Sequence, residues 1–389
     1  MHDRRSAGRA GARPPRPAPR SRARHRRAPR VRASRTHVPA RGPPAAPARA
    51  YRAALRHLVR TADVVTTPRA SVVIPTHQRK DSLLRALASL ESQTIPRVEF
   101  EVIVVVDGSD DGSREAAEAL ATEYALRVLW QPNRGRASAC NAGVAASRGE
   151  VVVLLDDDMT AAPELVAAHL AAHGSDRRLA VIGAAPIRVV PELSAHARYI
   201  GEKFNRHLEH LAAAGRPLAL RDFYSGNFSI RRDVLTAVGA FDERFRVYGN
   251  EDLELSLRLS AAGVRLVYVP AALAWQSYDK SFAGLARDNV AKGRTAVLLA
   301  RLHPGAREQL KLGSFARGPI ARRVVVSGLL AVTRIAPRVR EAIVALVGWL
   351  GDRGVPGVQR SYPIVLDYLY WCGVREAEHE ASPPPPIPS

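Results

Sequence analysis

The chain has 389 residues, 46% of them hydrophobic, enough for one large or two ordinary domains with a sizeable buried core. Its formal net charge of +21 is uneven: residues 1–50 hold 15 Arg against the single acid Asp3, a net +14, which leaves only +7 for the remainder. Two cysteines, Cys140 and Cys372, make no disulfide framework and fit a reducing compartment, and no run reaches the roughly 18 uncharged apolar residues that a spanning helix needs.

Residues 1–50, rich in Arg, Pro and Ala, have too few large apolar side chains to offset chain entropy and read as a disordered tail. The tail has no aromatic residue to stack on bases and no periodic helix face, so nucleic acid is a poor candidate partner. No apolar stretch follows its arginines as a secretory signal requires. Residues 51–68 read as a linker, with helical apolar spacing in Tyr51–Arg60. Strands and helices then alternate: strand Ser71–Pro75, helix Lys80–Gln93, strand Glu101–Val106, helix Ser113–Tyr124, strand Leu126–Trp130, helix Arg136–Ser147, strand Val151–Leu155, and a helix from about Pro163. The strands are continuous apolar runs, which predicts a mostly parallel sheet covered by helices on both faces.

Ligands of such sheets bind beyond the carboxyl ends of the strands. Three polar clusters fall there: PTHQR (Pro75–Arg79), DGSDDGS (Asp107–Ser113) and DDD (Asp156–Asp158). Adjacent carboxylates raise the cost of ionising one another, so the last cluster calls for counter-charge. Asp156 and Asp158, two apart in an extended turn, can face one point while Asp157 is directed away. Two hard carboxylates without His or Cys suit Mg2+ or Mn2+ better than Zn2+. Further on, Leu253–Gly263 reads as a helix that places Glu251 and Asp252 at its N-terminus, where the dipole favours negative charge.

Taken together these segments resemble the family 2 glycosyltransferases of GT-A fold, from about Ser71 to Pro304. SVVIPTHQR, VVVDGSDDGS and NRGRASACNAGVAASRGEVVVLLDDD are similar to the family's opening strand and turn, its D-D-G-S segment and its long N-x-G…D-x-D segment. GNFSIRRDVLTAVGAFDERFRVYGNEDLELSLRLSAAGVRLVYVP is similar to its acceptor-side half, and GNEDLEL to a galactosyltransferase segment. The resemblance implies an α/β GT-A domain over 69–304, a helical extension over 305–380 and a Pro-rich tail at 381–389. It implies a metal-dependent, inverting transfer from a nucleoside-diphosphate sugar donor to a hydroxyl acceptor of unknown identity. Carried over by position, Pro75, Thr76, Arg79, Asp107, Arg134 and Asp156 belong to the nucleotide side, and Gly226 and Asn227 to the donor sugar. Asp156 and Asp158 would hold Mn2+ or Mg2+, and Asp252, supported by Glu251, would be the catalytic base.

Three positions depart from the family pattern. Val106 replaces one aspartate, Cys140 stands where an arginine is usual, with Arg134 or Arg136 as substitutes, and Gln276 stands where a metal-binding His is common, with Ser281 following. A sugar-phosphate nucleotidyltransferase is the alternative enzyme, but PTHQR lacks its glycine-rich loop; an inactive scaffold with a nucleic-acid-binding tail predicts loss of carboxylates that are present. Val324–Thr333 and Ala342–Gly351 are too short to span a membrane and are expected to pack on the catalytic domain, with a membrane interface as the other reading. The expected location is cytoplasmic, with peripheral contact to the cytoplasmic face of a membrane left open.

Overall fold

The structure, a computed structural model, describes residues 67–380 apart from 214–217 and 220–221. The tail 1–50, nearly all of the linker 51–68 and the Pro-rich 381–389 lie outside the described residues.

Strands β1 (Ala70–Thr76), β2 (Phe100–Asp107), β3 (Ala125–Gln131) and β4 (Val151–Leu155) form a parallel half-sheet in the order β3–β2–β1–β4. Every residue of β1, β2 and β4 is buried, which explains their unbroken apolar runs. Alternation along β1 divides the core. Val72 and Ile74 pack with Leu83, Leu87 and Leu90 of α1 (Lys80–Leu90), while Val73 packs with Ala137, Cys140 and Val144 of α3 (Arg136–Ala146). Each fully buried leucine of α1 contributes roughly 1.5–3 kcal/mol of transfer free energy. A Cβ on Gly143 would collide with the Val73 side chain; this glycine therefore lets α3 lie close on the sheet and brings its N-terminus to the strand ends.

Helix α2 (Ser113–Glu118) is shorter than the predicted Ser113–Tyr124. The chain leaves the helix so that Tyr124 can enter the core, its ring 5.5 Å from Phe100 and its hydroxyl donating to Leu87 O.

The second half of the sheet is mixed. β7 (Asn227–Arg231) runs antiparallel to β4 and to β6 (Leu179–Ala184), β8 (Arg265–Gln276) runs parallel to β6, and β5 (Met159–Ala161) closes the order as an antiparallel partner of β8. Helices α4 (Leu165–His173), α5 (Ala195–Ala212), α6 (Arg232–Ala237) and α7 (Glu251–Ala261) connect these strands.

Beyond β8 come α8 (Phe282–Leu302), α9 (Ile320–Ile335), α10 (Arg338–Asp352) and α11 (Tyr362–Glu380). A Cβ at Gly293 or at Gly373 would meet the backbone of the facing helix, so these glycines allow α8 and α11 to touch closely. Val326 and Leu330 of α9 pack with Tyr368 and Leu369 of α11. One face of α9 thus packs on another helix of the C-terminal extension; its opposite face, with Ile320, Val324, Val332 and Ile335, is exposed. Among the described residues no helix is long and apolar enough to cross a membrane.

Candidate active site

β4 ends at Leu155, and Asp156 begins the turn with its amide donating to Gly226 O at 2.8 Å. Arg136, the first residue of α3, donates from Nε and Nη2 to Asp156 Oδ1, at 3.2 and 2.7 Å. Arg79, from the loop after β1, lies 3.2 Å from Asp158 Oδ2, 3.4 Å from Asp157 Oδ1 and 3.0 Å from Asp279. The counter-charge that the three aspartates require therefore includes two arginines from the ends of neighbouring elements. Asp157 is directed away from the cleft, where Thr76 Oγ1 donates to it at 2.8 Å. Burial pushes its carboxyl up to about 7 against the pull of Arg79. Burial and the nearby Asp156 also raise that of Asp158.

The remaining oxygens decide whether a cation fits. Among the described residues, Asp156 Oδ2 has no hydrogen-bond partner, and Asp158 Oδ1 has only Gln276 Nε2 at 3.4 Å. Among the described residues no third His, Cys, Asp or Glu completes a ligand cluster. Mg2+ is commonly held by one or two carboxylates, with substrate phosphates and water completing the shell, and the present donor set fits an ion of that kind.

On the other side of the cleft, Gly249 (φ 110°) and Asn250 (φ 67°) make a left-handed turn into α7. The turn is pinned by Gly249 N donating to Glu251 Oε2 at 2.9 Å and by Asn250 Nδ2 donating to Lys292 O at 2.9 Å. Glu251 is buried, whereas the Asp252 side chain is 27% exposed. Burial, reinforced by the charge of Asp252, pushes Glu251 up to about 7. Asp252 Oδ1 accepts from Ser225 Oγ. Arg136 Nη1 reaches this side too, 2.8 Å from Ser225 Oγ, 3.5 Å from Asp252 Oδ1 and 3.8 Å from Glu251 Oε1. A single guanidinium thus bridges the aspartate turn and the start of α7.

The structure brings together Arg79, Asp156, Asp158, Gly226, Glu251 and Asp252. Gly226 lies so close that a Cβ would collide with Asp156 Oδ2. Other predicted site residues are directed elsewhere. Pro75 is buried within β1, paired in register with Val105. Thr76 serves Asp157. Asp107 accepts from Gln131 Nε2 and from the amides of Arg134 and Gly135, so both its oxygens hold the loop that leads into α3. The Arg134 side chain is 64% exposed on Glu243. Asn227 does not line the cleft with Gly226. Neighbours on a strand point to opposite faces, and Asn227 is buried, donating to Ala184 O and Ala272 O and hydrogen-bonded to His169.

Of the two arginines offered as substitutes for the one that Cys140 replaces, Arg136 is the one at the cleft, and the sequence held a signal for it. It stands four residues before Cys140, and such positions share one face of a helix. Arg136 thereby supplies the charge that Cys140 lacks. Cys140 itself is a buried packing residue, its thiol pushed up to about 12 by burial. Gln276, in the place expected for a His, hydrogen-bonds Asp158. Ser281 caps α8 by accepting from Gly284 N at 3.1 Å.

The pattern described as glycosyl transferase family 2 matches residues 71–239 and that described as the N-terminal domain of galactosyltransferase matches residues 206–279. The first range covers β1 through β7 with the aspartate turn, and the second reaches past Asp252. Residues 71–239 are a family 2 glycosyl transferase domain. Similar proteins include validoxylamine A glucosyltransferase of Streptomyces hygroscopicus subsp. jinggangensis, 31% identical over 221 residues, or 51% of this chain and 52% of that protein. An uncharacterized glycosyltransferase of Bacillus subtilis, YfnE, is 28% identical over 241 residues, 50% of this chain and 61% of that protein. The chain thus spans less than two thirds of the length of these relatives. Among solved structures, mannosyltransferase PcManGT from Pyrobaculum calidifontis, in complex with GDP-Man and Mn2+, superposes with a TM-score of 0.52. It is 19% identical, with 86% of this chain and 95% of that one covered. This likeness establishes the GT-A glycosyltransferase fold of the family 2 domain.

Proposed function

We propose that this family 2 domain transfers a sugar from a nucleoside-diphosphate sugar to an acceptor hydroxyl, inverting the anomeric centre, with Asp252 as base and a divalent cation at Asp156 and Asp158. The observation that carries the reading is Arg136, which touches Asp156 on one wall and Asp252 on the other.

Ser225 fixes Asp252 through Oδ1, leaving Oδ2 for the acceptor hydroxyl. Asp252 takes the hydroxyl proton as that oxygen attacks the anomeric carbon. The new carbon–oxygen bond forms as the bond to the diphosphate oxygen breaks, and the diphosphate leaves with the electron pair. Attack from the face opposite the leaving group inverts the centre. Arg79 and Arg136, already held over the aspartates, place positive charge where the diphosphate departs. When bound, Mn2+ or Mg2+ supplies Lewis-acid neutralisation of that diphosphate. Glu251, buried with a carboxyl near 7, holds the turn at Gly249 and leaves Asp252 as the base that faces the cleft.

The test is a panel of sugar nucleotides scored for both nucleoside diphosphate and pyrophosphate. Release of nucleoside diphosphate, lost in excess chelator and in Asp158→Asn, is expected. Pyrophosphate release would favour nucleotidyl transfer, and full activity in chelator would remove the cation.

A further inference from the structure

The outward face of α9 carries no polar side chain. The helix is 16 residues long, and its Val326 and Leu330 are turned inward onto α11. Successive residues rotate by about 100°, which gathers Ile320, Val324, Val325, Val332 and Ile335 on the far side, exposed by 45–86%. The other positions on that arc of roughly 140° are Ala321, Gly328 and Ala331, all exposed. A surface helix normally turns charged and polar groups outward, so a continuous aliphatic stripe roughly 24 Å long marks an interaction surface.

The charges around the stripe narrow the choice of partner. Arg322 and Arg323 stand near the start of α9 and Arg334 in its last turn, and the helix contains no acid. Arg322 is held by Asp367 at 2.9 Å. Arg334, and Arg338 at the start of α10, are exposed and have no ion pair among the described residues. The next acids along the chain, Glu341 and Asp352, line the groove between α8 and α10.

A second copy pairing along α9 is disfavoured by this pattern. An antiparallel pair of α9 helices brings the arginines at one start against the arginine at the other end, a parallel pair stacks like on like, and no acid on the helix offsets either. Residues 1–50, with a net +14, would meet the same repulsion. A protein partner is commonly gripped through aromatic or arginine anchors and about one hydrogen bond per 100–200 Å². The stripe offers only β-branched aliphatics, alanine and glycine, none with a hydrogen-bonding side chain. Lipid acyl chains ask for no hydrogen bond, and anionic headgroups match the arginines beside the stripe. Among the described residues no helix can cross a membrane, so the fitting geometry is a helix lying in the interface.

We propose that the aliphatic face of α9 docks the protein on an anionic lipid surface, with the helix in the plane of the headgroups and Arg334 and Arg338 against lipid phosphates. Such docking is independent of the sugar-transfer reading.

The test is flotation of the full chain with vesicles of phosphatidylcholine alone and of phosphatidylcholine mixed with phosphatidylglycerol. Tighter binding to the mixed vesicles is expected. At about 0.5 M salt, where the Debye length is roughly 4 Å, the charges of residues 1–50 are screened and the binding that remains comes from the stripe. Val324→Asp combined with Ile335→Asp alters two exposed positions and should weaken that remaining binding roughly tenfold or more. Ala331→Leu adds apolar surface at the middle of the stripe and should tighten it about threefold, with thermal unfolding unchanged in both variants. Arg334→Glu should weaken binding about fivefold at low salt and little at high salt. No binding of the wild type to the mixed vesicles, its complete loss at high salt, or equal binding by the double variant would overturn the proposal. So would a dimer in sedimentation velocity that the double variant dissolves, because a second copy would then cover the stripe.

Discussion

The aspartate turn after β4 and the acidic pair at the start of α7 face the same problem, adjacent carboxylates in a partly buried cleft, and solve it differently. At the turn, Arg79 and Arg136 stand against three acids, and Asp156 Oδ2 remains free to accept. At α7 there are two acids, a helix N-terminus and a share of the same Arg136, and burial separates the pair: Glu251 is driven toward the neutral acid while Asp252 stays at the cleft. The difference is chemical. A cluster with free oxygens is suited to hold a cation, and a pair in which one acid is set apart is suited to move a proton.

Removing the guanidinium common to both should have the largest effect. Arg136→Met deprives Asp156, Ser225 and Asp252 of one partner, and with the side chain 23% exposed a loss of about 2–3 kcal/mol is expected. Transfer should fall roughly 1000-fold, as for loss of a strong electrostatic contact in the transition state. Denaturant unfolding beside steady-state kinetics checks both. An Arg136→Met protein of wild-type rate would mean that the two walls act independently.

A second test separates the walls by pH. Burial holds the Glu251 carboxyl above the ordinary glutamate range, at about 7, so its protonated form is the stabilising one. Its contribution is complete below about 4.5 and is lost as pH rises through about 7, on the order of 1–3 kcal/mol. Glu251→Gln should flatten that part of the stability profile. Asp157 titrates in the same window, so part of the slope remains. An unchanged profile in Glu251→Gln would show that burial does not set this acid apart.

The smallest effect is expected from deleting residues 1–50, whose +14 of charge has no core-forming pattern. The transfer rate on a soluble acceptor should be nearly unchanged, and adsorption to anionic surfaces should weaken. A collapse in thermal stability would make the tail structural.

Much of this arrangement was legible beforehand, for identifiable reasons. The strands β1, β2 and β4 are buried on both faces, so composition alone marks them, and their polar ends fall on one edge. The second half of the sheet was harder: β5 is three residues long, and β6 and β7 are short and lie in an antiparallel region. At the site, sequence neighbours take different places. Gly226 and Asn227 are adjacent in sequence but point to opposite faces of a strand, and Arg134 and Arg136 lie on either side of the α3 start, where only the second enters the cleft. The left-handed turn at Gly249–Asn250, which aims the acidic pair, depends on contacts with α8 more than 40 residues away.

The most direct measurement is single-turnover sugar transfer by Asp252→Asn and Glu251→Gln, with donor affinity determined separately. Asp252→Asn retains size and loses basicity, so transfer should fall roughly 100-fold or more with donor affinity retained, and Glu251→Gln should lose less. If Asp252→Asn transfers like the wild type while Glu251→Gln does not, the buried acid is the base, and the division of labour between the two carboxylates is contradicted.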